Sequence, residues 1–189
     1  ARTVRNKPAL DDKTLVSWNA LMIDGLCEAY RSFGEEKHLE RAKEIAGFIL
    51  ENMKTEDGSL FRNYKGTTAS INAFLDDYAN LAKAFINLYS VSFEERWLTE
   101  AQSLVDYVDV HFGDENSQIY FYTSDEDDAL MTRKKEIIDG VIPASNSTLA
   151  RVISDLGVLL DNKEYKEQSM NMLQTIVNRP NFKEYISFN

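Results

Sequence analysis

A polar opening followed by two amphipathic helices occurs three times in this chain, and that repeat constrains the fold more than any other feature. The openings are Asp11-Asp12-Lys13-Thr14-Leu15-Val16-Ser17-Trp18-Asn19, Leu75-Asp76-Asp77-Tyr78-Ala79 and Ile142-Pro143-Ala144-Ser145-Asn146-Ser147. Apolar residues then recur every three or four positions, which marks one face of a helix. The first stripe is Leu15, Trp18, Met22, Leu26, Ala29 and Phe33, and its return is Leu39, Ala42, Ile45, Ile49 and Met53. The second pair reads Leu75, Tyr78, Ala82, Phe85, Tyr89 and then Trp97, Ala101, Leu104, Val108. The third reads Leu149, Ile153, Leu156, Leu160 and then Tyr165, Ser169, Leu173, Ile176.

These stripes predict helices over 14–33, 36–54, 75–90, 94–112, 146–160 and 163–178. Short turns, such as Gly34-Glu35-Glu36, make each pair an antiparallel hairpin. Asp12 or Thr14 can cap the first helix and Gly34 can end it. Helical hairpins in tandem bury their apolar faces on one another, so the expected class is all-α, an arc of stacked hairpins at 14–54, 75–112 and 146–178. The connections between hairpins are longer. Asp57-Gly58-Ser59-Leu60-Phe61-Arg62-Asn63-Tyr64 and Gln118-Ile119-Tyr120-Phe121-Tyr122-Thr123 each read as a short strand-bearing segment. Because every first helix runs away from its opening and every second helix returns, the three openings and both long connections share one end of the arc.

Composition narrows the function classes. The 189 residues, treated as a single unit over 1–189, are enough for one sizeable core. A formal charge of -10 argues against nucleic acid or an anionic membrane surface as partner. No apolar run reaches a membrane span, and Ala1-Arg2-Thr3-Val4-Arg5-Asn6 lacks a signal-peptide core. One cysteine, Cys27, sits among apolar residues and reads as a buried, inert thiol. That suits a reducing compartment, and the expectation is a cytoplasmic protein. The missing initiator Met suggests a piece of something longer.

The openings hold the residues that could carry chemistry. Asp76 and Asp77 begin a helix, where a carboxylate caps free amides and meets the positive end of the dipole; equally, paired acids are what glycoside hydrolysis requires. Asp11 and Asp12 read the same way. Asp139 precedes Pro143, and Ser145 or Asn146 can cap the third opening or bond a polyol. Trp18 and Tyr78 read first as packing of the inner wall, with stacking on a sugar ring as the alternative. The candidate catalytic acids are therefore Asp76, Asp77 and Asp139. The candidate substrate-binding groups are Asp11, Asp12, Trp18, Asn19, Tyr78, Ser145 and Asn146. Two histidines exclude a tri-histidine metal site: His38 reads as solvated, and His111 as an acid or base or a helix-end dipole partner. The acidic run Ser124-Asp125-Glu126-Asp127-Asp128 lacks the Gly and spaced Glu of a calcium loop. With no Gly-rich phosphate loop and no CxxC, neither metal nor cofactor is expected.

Taken in order, the string from Asp11 to Ile23, then Leu75-Asp76-Asp77-Tyr78-Ala79, then Asp139-Gly140 with Pro143-Ala144-Ser145-Asn146-Ser147, resembles the C-terminal part of the large thioredoxin-domain proteins of the DUF255 family, related to the spermatogenesis-associated thioredoxin-like protein. Ala20 and Ala144 stand where the family pattern has Gly. The resemblance implies an (α/α) toroid similar to N-acylglucosamine 2-epimerases and six-hairpin glycosidases, of which three hairpins are half of an (α/α)6 ring. It implies a carbohydrate or other polar small molecule as ligand, or else a non-catalytic module serving a redox domain. It also implies the remainder of a longer parent chain as partner, and a half ring exposes an apolar edge that suits a homodimer. The epimerase histidine mechanism does not carry over, since only His111 lies at the right end.

Overall fold

A computed structural model describes residues 11–127 and 132–178. The N-terminal stretch tested above for a signal, and Asp128 of the acidic run, lie outside them. Six helices form three antiparallel hairpins: α1 (Val16–Phe33) with α2 (Glu36–Asn52), α3 (Leu75–Ser92) with α4 (Glu95–His111), and α5 (Ser145–Leu159) with α6 (Lys163–Val177). The helix of each pair that follows an opening packs on its counterpart in the next hairpin, α1 on α3 and α3 on α5. Those three make an inner row, and α2, α4 and α6 back them. The result is a two-layered arc. Among the described residues no helix is long and apolar enough to cross a membrane.

Each tight turn uses one device. A residue in left-handed conformation ends the first helix, and an extended residue starts the second. Gly34 (φ 67°), Phe93 (φ 55°) and Asp161 (φ 48°) take the left-handed position, followed by Glu35, Glu94 and Asn162. The Gly34 and Phe93 amides bond back to the carbonyls of Tyr30 and Tyr89. Asn162 also caps α6, its side chain accepting from the amides of Glu164 and Tyr165 at 2.8 and 3.2 Å.

The middle inner helix, α3, has neighbours on both flanks and behind. Twelve of its 18 residues are buried, so it is the spine of the core. Tyr78 stacks on Tyr107 with centroids 5.2 Å apart and meets Phe112 edge-on, while Phe85 and Trp97 pack in the layer below. Cys27 is fully buried in α1, and burial pushes its thiol up to about 12, which keeps it an unreactive apolar group.

Three expectations need correction. The apolar stripe on α1 is out of phase: the buried face is Val16, Ala20, Ile23 and Cys27, whereas Trp18 and Met22 are 67% and 56% exposed. Counting apolar residues cannot tell a core face from an exposed apolar face, and α1 carries both. Ser17, Asp24 and Arg31 point to α3, bonding Asp77, Asn87, Lys83 and Ser90. Trp18 and Met22 lie roughly 100° or more round the helix from them. That is the edge where the next inner helix of a ring would sit.

Second, the short strand expected in the first connection is present, but as the middle of a three-stranded antiparallel sheet that also takes in the first opening. Its strands are β1 (Thr14–Leu15), β2 (Phe61–Lys65) and β3 (Thr68–Asn72), in the order β1-β2-β3, with Thr14 opposite Tyr64 and Asn63 opposite Ser70. Third, residues 118–123 run without a ladder; that connection's bridge lies at Asp114 and Ser117. The extended backbone gives its hydrogen bonds to single acceptors and donors instead. The Tyr122 amide donates to the Lys134 carbonyl at 2.7 Å, and the Tyr122 carbonyl accepts from the Leu75 amide at 3.0 Å.

Candidate functional site

The first two openings meet at a buried carboxylate. Asp77 is fully buried at the third position of α3. Its Oδ1 accepts from the Ser17 amide at 3.0 Å, in the first turn of α1. Its Oδ2 accepts from the Phe74 amide at 3.0 Å and from Arg62 Nη1 at 2.6 Å. One side chain therefore closes the starts of α1 and α3 and ties both to β2. Neither Asp12 nor Thr14 caps α1; the cap comes from the next hairpin. Burial beside Asp76 raises the Asp77 carboxyl to about 6, against the pull of Arg62 and the two amides.

Asp76, next in line, is built differently. Its Oδ1 accepts from Arg62 Nη1 at 3.1 Å and from the Tyr122 hydroxyl at 3.0 Å. Its Oδ2 has no donor among the described residues, and the side chain is 10% exposed against 0% for Asp77. Arg62 lies over the Phe74 ring at 4.8 Å, and Phe74 packs on Tyr122 with centroids 5.1 Å apart. The Tyr122 hydroxyl is held protonated by burial and by the Asp76 charge. The unit is a carboxylate with one oxygen fixed by a cation and a phenol, and the other oxygen left over.

The remaining candidates separate. Tyr78 belongs to the core, its hydroxyl accepting from the Leu60 amide at 2.8 Å. Asn146 is fully buried and acts as a backbone substitute: its amide nitrogen donates to the carbonyls of Tyr120 at 3.0 Å and Glu136 at 2.8 Å, and its oxygen accepts from the Tyr120 amide at 2.9 Å. Both of its N–H donors are thereby used, which leaves none for a polyol. Ser145 opens α5, its amide bonded to Glu136 Oε2 at 3.1 Å, while its hydroxyl is buried without a partner among the described residues. Asp139 is exposed and caps the Ala144 amide at 2.8 Å. Asp11 and Asp12 are exposed and pair with Lys13 at 3.0 Å and Lys65 at 2.7 Å. Asn19 bonds back to the Leu15 carbonyl at 2.8 Å, within its own helix. His111 ends α4, bonded to Asp125 at 2.9 Å and packed on Tyr107.

The acids thus occupy separate environments instead of one cavity. Two surface clefts, of about 370 and 220 Å³, open elsewhere, against the outer helices α2, α4 and α6. Arg62 escaped sequence reasoning because it sits in no recognisable motif; Tyr122 was expected at this end as an aromatic that could stack on a sugar ring, and the structure gives its hydroxyl to Asp76. The usable signal was a lone arginine in a strand-like run preceding two adjacent aspartates.

No protein-family model matches the chain. The chain is 32% identical over 189 residues to spermatogenesis-associated protein 20 of Mus musculus, covering 95% of this chain and 24% of that protein. An uncharacterised protein of Caenorhabditis elegans is 34% identical over 177 residues, again with 24% of its length covered. The chain therefore spans about a quarter of the length of the curated relatives it matches. Among solved structures, a cellobiose 2-epimerase from Bacillus thermoamylovorans superposes with TM-score 0.76 at 16% identity, over 90% of this chain and 46% of that one. A GH76 alpha-mannanase of Bacteroides thetaiotaomicron gives 0.73 at 16% identity, over 92% and 46%. At such identities the likeness shows the fold alone: this arc is half of an (α/α)6 toroid, and its sequence relatives are spermatogenesis-associated protein 20 and its kin.

Proposed function

We propose that this arc is the toroid part of a DUF255-type thioredoxin-domain protein. In this reading it binds, and can convert, a carbohydrate or similar polyhydroxylated molecule at the end where α1, α3 and α5 begin. The observation that carries the reading is the Asp76 carboxylate. Arg62 and Tyr122 hold its Oδ1 and leave Oδ2 available to accept from a sugar hydroxyl or exchange a proton with it. Asp77 is the support beneath it, not a second acid across a water. The missing half of the ring, supplied by the rest of the parent chain or by a second copy, would complete the pocket and cover Trp18 and Met22.

A screen of mono- and disaccharides against the full-length protein, read from the anomeric proton signals, tests this reading. Binding or turnover that disappears in Asp76→Asn while the fold is retained is the expected result. No response to any sugar, or full activity in that variant, would sink it. A second reading is a non-catalytic scaffold serving a redox domain. The engagement of Asp77, Asn146 and Asp139 in holding the fold favours it. It predicts unchanged partner capture by Asp76→Asn.

A further inference from the structure

The smaller cleft, about 220 Å³, lies between the last turns of α4, the 113–120 loop and α6. Asp109 and Asp114 are the carboxylates that line it, and Asp109 is the one without a cation among the described residues. Asp109 Oδ1 accepts from the Tyr120 hydroxyl and from Gln168 Nε2 at 2.9 Å, and the same Nε2 lies 2.6 Å from the Tyr120 hydroxyl. Groups from two other segments, the 113–120 loop and α6, therefore fix the orientation of this carboxylate. Tyr120 is itself buried, so the frame is rigid. Gly113 lets the loop come this close, since a Cβ there would lie 3.0 Å from the Asp109 carbonyl oxygen.

The other oxygen, Oδ2, has no donor among the described residues. Comparable half-buried acids carry a cation: Asp24 pairs with Lys83 at 2.8 Å, Glu100 with Lys54 at 2.6 Å, and Asp114 with Lys135. Asp109 has only neutral donors. Burial, with the nearby Asp106 charge, raises its carboxyl above the usual range, and a cation in the cleft would reverse that cost. The remaining lining is rich in acceptors, with Asp114, Ser117 and Gln118 around the mouth. A divalent metal ion is a poor occupant, because among the described residues no group of three or more His, Cys, Asp or Glu could hold one. The volume suits a head group and not a whole sugar.

We propose that this cleft is a socket for an ammonium or guanidinium group, the kind borne by a lysine or arginine side chain, with Asp109 as its counter-ion. The site is separate from the Asp76 unit and stands whether or not that unit binds sugar.

The test is an NMR titration of the isotope-labelled chain with methylammonium and methylguanidinium chloride at constant ionic strength. Saturable shifts confined to the Gln168 side-chain amide and the backbone amides of Gly113, Ile119 and Tyr120 are expected. Asp109→Asn should weaken binding about tenfold, the loss expected when one partner of a half-buried ion pair is removed. Gln118→Lys, a change at an exposed rim position, should abolish binding by placing the chain's own ammonium in the socket. It keeps the test decisive even where Asp109→Asn disturbs the fold. An arginine-containing tripeptide bound more tightly than methylguanidinium assigns the occupant to a protein segment, and equal affinity assigns it to a free small cation. Shifts that do not saturate, that spread over the acidic surface, or that persist in Gln118→Lys would overturn the proposal.

Discussion

Replacing Asp77 by Ala tests the claim that this residue is structural. The change removes the acceptor for two backbone amides, Ser17 and Phe74, and the nearer of two carboxylates around Arg62. Each buried N–H left without a partner costs about 1–3 kcal/mol. Arg62 keeps Asp76, and its side chain is 21% exposed, so its share is small. Water entering the vacated space recovers part of the loss. The expected destabilisation is about 3–5 kcal/mol, seen as a melting temperature lower by roughly 10–15 °C for a chain of this size. The pH dependence adds a second signature. With the carboxyl raised from 3.8 to about 6, the folded state binds a proton more tightly than the unfolded chain. Its stabilising contribution is present below 3.8 and is lost as pH rises through about 6. The wild type should therefore shed up to roughly 3 kcal/mol from this group between pH 4 and 7, and Asp77→Ala should not. Chemical denaturation followed by circular dichroism at pH 4.5, 6 and 7.5 measures both. A variant within 1 kcal/mol of wild type at every pH would refute the argument.

Three more expectations are simpler. Phe93 is 77% exposed and left-handed, so Phe93→Gly should raise stability by about 0.5–1 kcal/mol in a thermal melt, and a loss would mean its packing on Tyr89 matters more than backbone strain. Gly34 has open space around its Cα, so Gly34→Ala should cost about 1 kcal/mol through backbone strain alone; a neutral melt would contradict the left-handed turn. The exposed apolar edge of α1 should drive self-association of the isolated chain, and Trp18→Lys with Met22→Lys should shift sedimentation towards monomer. A wild type that stays monomeric at high concentration removes the homodimer from consideration.

The periodic part of the fold was legible. The six helices begin and end within a few residues of where the apolar spacing and turn residues place them, as with 163–178 against Lys163–Val177. Local pattern carries that information. What the pattern lacked was everything set at long range. β1 and β3 form because β2 lies between them, and Thr68-Ala69-Ser70-Ile71-Asn72 has no alternation to announce a strand. The 118–123 aromatics alternate, yet their backbone is claimed by Asn146 and Lys134. Asp76 and Asp77 are adjacent and identical as letters. Only the fold shows that one is sealed under Ser17 and the other keeps an oxygen open. Trp18 misled because this inner helix at the end of the arc has two apolar faces, one of them exposed among the described residues.

The three tight turns, each a left-handed residue followed by an extended one, repeat nearly the same backbone, so each outer helix returns along its inner helix in the same way. At the opposite end the links over 53–74 and 112–144 differ in length, in hydrogen bonding and in strand content. The architecture therefore separates what must stay constant from what is free to vary. Insertions, deletions and new side chains can accumulate in the long links without altering the curvature that lets hairpins close into a ring. An evolving lineage can exchange ligands at that end while the turn end keeps the ring in register. An engineer seeking to graft a loop onto this scaffold has the same side to work on.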